Sequence, residues 1–182
     1  MPVQPILRLG HPALRTPADA IDLEALRSDE TQRLIDDMFE TMRDADGVGL
    51  AAPQLGHALQ IFVYLAVDPE RPEAEAAPKA LINPGVAPES GDLVYDWEGC
   101  LSIPDLRGLV PRHQAVRVDA FDRHGEPLSF RAEGYESRIV QHEFDHLNGI
   151  VFVDRMRDMR SLCFSAEWEQ YMTTGEDEPA VG

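Results

Sequence analysis

The stretch QHEFDHLNG, residues 141–149, places two histidines four residues apart, with a carboxylate directly after the first. Residues i and i+4 of an α-helix lie one turn apart on the same face, so His142 and His146 can reach one metal ion. Glu143 then lies beside the ion, where it can accept a proton from water that the ion holds. The closing Asn-Gly pair is a typical C-terminal stop. The stretch therefore predicts a helix that carries a metal site.

Apolar patterns elsewhere in the chain predict a mixed fold. A period of 3.6 predicts a helix that begins at Ser28 or Asp29 and ends near Ala45. Alternating residues predict a hairpin, and shorter apolar runs predict further strands. The predicted strands are 61–67, 81–86, 116–120, 128–132 and 150–153. Together these elements predict an α+β fold, with short antiparallel β-sheets packed around a central helix that carries the HExxH motif.

Length and composition narrow the class of protein. The 182 residues predict a single catalytic domain over 1–182, with an exposed loop at 68–78 and a disordered acidic tail at 173–182. A formal net charge of −17, with Lys79 as the only lysine, offers no basic surface for nucleic acid. No apolar run reaches the length of a transmembrane helix, and the first five residues have neither a basic n-region nor an apolar h-region, so we expect no membrane contact and a cytoplasmic location. Two cysteines are too few for a disulfide framework.

The two histidines need a third protein ligand, because catalytic metal sites of this kind usually have three. A histidine three residues after Gly149 would complete one known pattern, but Phe152 stands there. A downstream carboxylate, Glu167 or Glu169, would complete another. The thiol of Cys100 is the remaining candidate. The residues alone leave the carboxylate and thiol alternatives open.

Three motifs in a fixed order extend the pattern. They are GVGLAAPQ at 47–54, EGCLS at 98–102 and QHEFDH at 141–146. In these motifs and their order, the chain resembles the peptide deformylases, hydrolases that remove the formyl group from the N-terminal methionine of newly made polypeptides. The resemblance extends over residues 5–155, and it includes HPALR at 11–15 outside the motifs.

The resemblance implies a role for each residue of the predicted site. The implied metal ligands are Cys100, His142 and His146. Glu143 would be the catalytic acid/base, and Gln54 and the backbone N–H of Leu101 would donate hydrogen bonds to the reacting carbonyl oxygen. The implied cofactor is one divalent metal ion per chain, with Fe(II) expected and zinc, nickel or cobalt able to occupy the same ligands.

The resemblance also places the substrate beside the first two motifs, where its backbone would pair with the chain like an added strand. The residues expected to contact the peptide are Val48, Gly49, Glu98 and Gly99. Arg107 follows the second motif at the family's usual interval, where it either contacts the peptide or is an ordinary surface arginine. Asp145 faces away from the two histidines, and we expect it to form an ion pair with Arg112.

The end of the chain departs from the family. Many bacterial deformylases end in a long basic helix linked to ribosome contact, whereas residues 161–169 carry no basic stripe. The expected partners are N-formylmethionyl nascent peptides, with at most a transient ribosome association that does not use this segment. Leu162, Phe164 and Trp168 are expected to pack on the domain or to form a self-association surface. Residues 135–137 are more polar than the residues that help to line the methionine pocket in the family. The resemblance therefore supports a preference for methionine less strongly than it supports the metal site.

Two other functions remain open from the sequence. One is a metallopeptidase in which Glu167 or Glu169 is the third ligand. The other is a peptide-binding or structural-zinc module that keeps the fold without the activity. Loss of the metal on substitution of Cys100 would exclude the first, and turnover of a formyl peptide would exclude the second.

Overall fold

The computed structural model describes residues 3–66, 77–89 and 91–172, and its strands form two antiparallel sheets. The larger sheet has five strands in the order β1-β2-β3-β6-β7. These strands are Gly49–Ala51 (β1), Ile61–Ala66 (β2), Ala77–Pro88 (β3), Ala115–Phe121 (β6) and Pro127–Glu133 (β7). The smaller sheet has three strands in the order β4-β5-β8. These strands are Leu93–Cys100 (β4), Ile103–His113 (β5) and Cys163–Phe164 (β8).

Five α-helices accompany the sheets in the described residues. They are Leu23–Leu26 (α1), Asp29–Asp44 (α2), Gly134–Leu147 (α3), Phe152–Arg155 (α4) and Ser165–Tyr171 (α5). Short 3₁₀ helices lie at Pro12–Arg15, Ala52–Leu55 and Met159–Ser161. None of the described helices is long and apolar enough to span a membrane. The mixture of elements confirms the predicted α+β class.

The five-stranded sheet is covered on both faces, and β2 shows why. Successive side chains of a strand point to opposite faces. Ile61 and Val63 pack into a cluster with buried residues of α2, whereas Phe62 and Tyr64 pack into a second cluster with α3. Burial on both faces makes β2 apolar throughout, which is the signal that predicted it. The sheet therefore holds α3 against one face and α2 against the other.

Helix α2 follows its prediction closely. Its N-cap residue Ser28 accepts a hydrogen bond from the backbone N–H of Thr31 at 3.3 Å, and Ala45 is its C-cap. Ile35, Met38 and Met42 are fully buried on one face. The predicted hairpin is also present, as strands β6 and β7 paired along their whole length.

The C-terminal end of α3 is fixed by Gly149. This residue has a φ of +70°, and a Cβ atom there would lie 2.7 Å from the backbone carbonyl of Arg15. Only glycine combines that conformation with so close an approach. The chain therefore turns sharply after α3 and packs against the N-terminal segment.

Four predictions about elements need correction or lie outside the described residues. The strand predicted at 150–153 is wrong, because Phe152–Arg155 is helical and Asp154 Oδ2 accepts from the Val151 N–H at 2.9 Å. The strand predicted at 81–86 is longer than expected and extends over Ala77–Pro88. Its pairing with β6 shifts register between Ile82 and Gly85, where an interruption was expected. Of the predicted loop at 68–78, residues 77 and 78 belong to β3 and the rest lies outside the described residues, as does the predicted tail at 173–182.

Candidate metal centre

The smaller sheet and α3 meet at three side chains that can bind a metal. Cys100 ends β4, while His142 and His146 project from adjacent turns of α3. One ligand atom from each lies within 4.8 Å of the other two, and Cys100 Sγ is 3.2 Å from His146 Nε2. Thiolate and imidazole ligands suit zinc and other first-row transition metals. The group found in the described residues contains Cys100 and neither Glu167 nor Glu169, so the geometry favours the thiol alternative.

Glu98 orients the first histidine of the centre. Its Oε2 lies 2.9 Å from His142 Nδ1. A carboxylate can only accept a hydrogen bond, so Nδ1 carries the proton and Nε2 is left for a metal. Burial would by itself raise the pKa of Glu98, but hydrogen bonds from His142 and Arg112 hold that pKa well below its usual range. The carboxylate therefore stays ionised beside the centre.

Two buried arginines hold Glu98 in place. Arg112 donates from Nε at 2.8 Å and from Nη2 at 3.0 Å, and Arg138 donates from Nη1 at 2.8 Å. Both oxygens of Glu98 are thus occupied, and its side chain is 4% exposed. The contacts of Glu98 among the described residues are to Arg112, Arg138 and His142, whereas its predicted contact with substrate stays a prediction.

Asp145 extends this charged cluster away from the histidines. Its Oδ2 accepts from Arg112 Nη1 at 2.5 Å, which confirms the predicted ion pair. It also accepts from Arg155, from Nη2 at 2.6 Å and from Nε at 3.0 Å. Arg112 therefore links two carboxylates, of which only Glu98 touches a metal-ligand candidate.

Glu143 lies in the centre with its carboxylate against Gly49. It is 4% exposed, and its Oε2 is buried without a hydrogen-bond partner among the described residues. A Cβ atom at Gly49 would lie 2.3 Å from Glu143 Oε1, so a side chain at residue 49 would displace the carboxylate. Burial raises the pKa of Glu143 to about 7. An unpaired buried carboxyl group whose pKa is near neutrality is characteristic of a group that transfers protons.

Gln54 presents its amide nitrogen to the same centre. Its Oε1 accepts from the Ala51 N–H at 2.8 Å, which fixes the orientation of the amide. Its Nε2 donates to Ser102 Oγ at 3.1 Å and lies 3.7 Å from Cys100 Sγ. The amide is 2% exposed and comes from the short helix Ala52–Leu55. It is a preorganised donor whose direction is set before any ligand arrives.

A cleft of about 450 Å³ opens onto these groups. Every residue of the predicted site except His146 lines it. Val48 forms part of its rim and is 41% exposed. The sequence interpretation missed Arg138 and Ser102, because a lone arginine in a helix or a lone serine after a cysteine carries no pattern of its own.

Donors, a buried carboxylate and three clustered ligand atoms around one cleft define a hydrolytic enzyme. The profile of the polypeptide deformylase family matches residues 3–161, and the chain belongs to this family of enzymes, which remove N-formyl groups from nascent peptides. Peptide deformylase 2 of Bordetella bronchiseptica is 45% identical over 165 residues, which cover 90% of this chain and 93% of the relative.

Solved structures of the family share the fold. A class I type b peptide deformylase from Acinetobacter baumannii with bound Met-Ala-Ser is 36% identical, with a TM-score of 0.79, and the match covers 85% of this chain and 99% of that chain. A peptide deformylase from Synechococcus elongatus in complex with actinonin is 40% identical, with a TM-score of 0.76, and the match covers 88% of this chain and 82% of that chain. The predicted family and fold class are therefore confirmed.

Proposed function

We propose that the chain removes the formyl group from N-formylmethionyl peptides at the centre formed by Cys100, His142 and His146. The observation that carries the proposal is the clustering of these three ligand atoms beside the buried carboxylate of Glu143. The Met-Ala-Ser bound to the Acinetobacter baumannii relative supports this substrate class, since it is the peptide left after formyl-Met-Ala-Ser is hydrolysed.

One divalent metal ion fits the three ligands. The His142 tautomer set by Glu98 leaves Nε2 to coordinate, and the Cys100 thiol lies close enough to His146 to share an ion. When bound, the ion lowers the pKa of water and polarises a carbonyl group. Fe(II) is the expected ion, and zinc, nickel or cobalt suit the same ligands.

Glu143 moves the proton in the proposed reaction. Its unpaired Oε2 accepts a proton from the attacking water, and the same carboxyl group returns it to the leaving amine. Gly49 keeps the carboxylate in place, because residue 49 has no side chain to displace it. The close approach of Gly49 and Glu143 therefore explains why the first motif has glycine at residue 49.

The chain offers donors for the oxygen that becomes negative. Gln54 Nε2 faces the centre in a fixed orientation, and the N–H of Leu101 follows Cys100 directly. Donors held where charge develops lower the barrier, and losing one costs about 100- to 1,000-fold in rate. We assign both groups to the reacting oxygen.

The peptide would lie along β1. This strand pairs only with β2 among the described strands, so its other edge is free to pair with an extended peptide. Val48 and Gly49 lie at this edge and Gly99 lines the same cleft. The proposed setting is the cytoplasm, where nascent peptides would be the substrates and any ribosome contact would be transient.

Formate release from formyl-Met-Ala-Ser tests the proposal. Anaerobic protein loaded with iron or nickel should hydrolyse the peptide, whereas Glu143→Gln should keep its metal and lose at least about 100-fold in kcat. Glu30→Gln, at an exposed position of α2, is the matched control and should equal the wild type. Full metal occupancy without turnover by the wild type would favour the peptide-binding module instead.

A further inference from the structure

The side-chain amide of Gln54 carries two N–H donors, and Ser102 binds one of them. Gln54 Nε2 donates to Ser102 Oγ at 3.1 Å, and Ser102 is fully buried. The two hydrogens of an amide nitrogen lie in one plane, so a bond to the first fixes the direction of the second. The second hydrogen is left for the metal centre, where Cys100 Sγ lies 3.7 Å from Nε2. Ser102 thus binds the hydrogen that a reacting oxygen at the centre does not need.

The oxygen end of the same amide is held as well. Gln54 Oε1 accepts from the Ala51 N–H at 2.8 Å, so a flipped amide would place two donors against each other. Ala51 therefore selects which end of the amide is nitrogen, but this one bond still lets the amide plane turn. The bond to Ser102 removes that freedom at a side chain that is 2% exposed. Both bonds together give a donor that needs no reorganisation during the reaction.

The bond between Gln54 and Ser102 joins parts of the chain that adjoin different sheets. Gln54 lies in the short helix directly after β1 of the five-stranded sheet. Ser102 lies in the turn between β4 and β5 of the three-stranded sheet. The distance from Gln54 Nε2 to Ser102 Oγ therefore depends on how the two sheets are placed relative to each other. A tie between the two backbones would keep that distance constant.

The N-terminal segment provides such a tie. Leu7 N–H donates to the backbone carbonyl of Gln54, and Leu9 N–H donates to the backbone carbonyl of Ser102, each at 2.8 Å. Residues 7–9, which we call the N-terminal bridge, thus hold the backbones of both residues whose side chains form the bond. Within the described residues, the bridge does not line the cleft. Its effect on the site therefore goes through Gln54 and Ser102.

We propose that Ser102 is a positioning residue for deformylation, and that its hydroxyl, held in place by the N-terminal bridge, directs the free N–H of Gln54 at the reacting carbonyl oxygen. This inference rests on the proposed deformylase function. Ser102 acts through Gln54 and does not touch the reacting atoms. Its contribution belongs to kcat rather than to KM, because the oxygen becomes negative only as the reaction proceeds.

A double-mutant cycle separates positioning from a merely structural role. Ser102→Ala removes the acceptor, so kcat for formyl-Met-Ala-Ser should fall by about 10- to 100-fold, with KM and metal content near those of the wild type. Gln54→Ala removes the donor itself and should cost about 100- to 1,000-fold. In the Gln54→Ala background, Ser102→Ala should change kcat by less than about two-fold, because nothing is left to position. Losses that multiply in the double variant would overturn the proposal.

Leu9→Pro tests the N-terminal bridge from outside the cleft. The 3.0 Å bond from His11 N–H to the Arg8 carbonyl and the φ of +107° at Gly10 match a type II turn. Residue 9 holds the second position of this turn, where proline is favoured, so the variant loses its N–H without a change of turn. It should lower kcat by roughly three- to ten-fold, the scale of one hydrogen bond. Leu9→Ala keeps the N–H, changes a side chain that is 44% exposed, and should equal the wild type. Wild-type kcat in Leu9→Pro would overturn the proposed role of the bridge.

NMR of the Gln54 side-chain amide gives a readout that needs no turnover. Exchange spectroscopy on zinc-loaded protein, which is diamagnetic, measures how fast the two amide hydrogens interchange by rotation about the C–N bond. Ser102→Ala should speed this interchange by about ten-fold, because rotation no longer breaks the bond to Oγ. An unchanged rate in Ser102→Ala would contradict the inference. The expected rates in a wild type that does not hydrolyse formyl-Met-Ala-Ser would support the positioning of the amide and contradict the proposed function alone.

Discussion

Replacing Glu98 by glutamine should weaken both the fold and the metal centre. The carboxylate accepts four hydrogen bonds, from Arg112 Nε, Arg112 Nη2, Arg138 Nη1 and His142 Nδ1, at 2.8, 3.0, 2.8 and 2.9 Å. The donor side chains are 5, 7 and 11% exposed, so solvent cannot replace the lost charge. Breaking a buried pair from one side costs about 3 to 5 kcal/mol. Glutamine keeps the volume and one acceptor, which places the expected cost at the lower end.

The metal affinity should fall for a separate reason. A neutral amide no longer requires the proton of His142 to stay on Nδ1, so Nε2 is less often free to coordinate. Loss of such a supporting carboxylate typically lowers metal affinity by about 10- to 100-fold. The metal-free Glu98→Gln variant should be about 3 kcal/mol less stable than the metal-free wild type. Its melting temperature should therefore be lower by roughly 6 to 12 °C.

Asp145→Asn separates the two effects. Asp145 pairs with the same Arg112 and is equally buried, but among the described residues no hydrogen bond or ion pair joins its side chain to His142. We expect this variant to lose stability while its metal affinity stays near that of the wild type. Competition for nickel against a chelator measures the affinity, and circular dichroism melts measure the stability. Equal metal affinity of Glu98→Gln and the wild type would refute the positioning role, as would an equal loss in both variants.

Three further predictions follow from the centre. In a steady-state assay, Gly49→Ala should lower kcat by about 100-fold, because the added Cβ would displace the Glu143 carboxylate. Gly91→Ala is the control and should not change kcat, because a Cβ there meets nothing within 4 Å. Elemental analysis should find no metal in Cys100→Ala and one metal per chain in Cys163→Ala. Metal retained by Cys100→Ala would instead favour a carboxylate as the third ligand. Iron-loaded protein should lose activity in air faster than nickel-loaded protein, because iron(II) and the thiolate oxidise; equal half-lives would contradict an iron–thiolate site.

The sequence predicted the elements whose side chains repeat with a regular period. Helix α2 has a buried face of period 3.6, and β6 and β7 alternate along a hairpin. The metal ligands on α3 were predicted because His142 and His146 are four residues apart, a spacing that puts both side chains on one face of a helix. These signals are local, so no knowledge of the rest of the fold was needed.

Strands β4 and β5 were not predicted, although they are among the longest. β5 contains Pro104, Gly108 and Pro111, which argue against a strand in any single sequence. In β4 a buried glutamate interrupts the apolar pattern, because residue 98 faces Arg112 and Arg138. That burial depends on pairing between strands and on the approach of α3, and neither can be read from local periodicity.

The wrong strand at 150–153 has a similar cause. Ile150, Val151 and Val153 are β-branched residues that favour a strand. The sharp turn at Gly149 and the hydrogen bond from the Val151 N–H to Asp154 instead start a short helix. A carboxylate three residues after a helix start was the available signal, and the apolar run concealed it.

The most direct test of the metal centre is an anaerobic titration of metal-free protein with Fe(II), following formate release from formyl-Met-Ala-Ser. The account predicts negligible activity without metal, a linear rise with added iron and a plateau at one equivalent per chain. Full activity in the metal-free protein, or a plateau that requires a second equivalent, would contradict a single catalytic ion held by Cys100, His142 and His146.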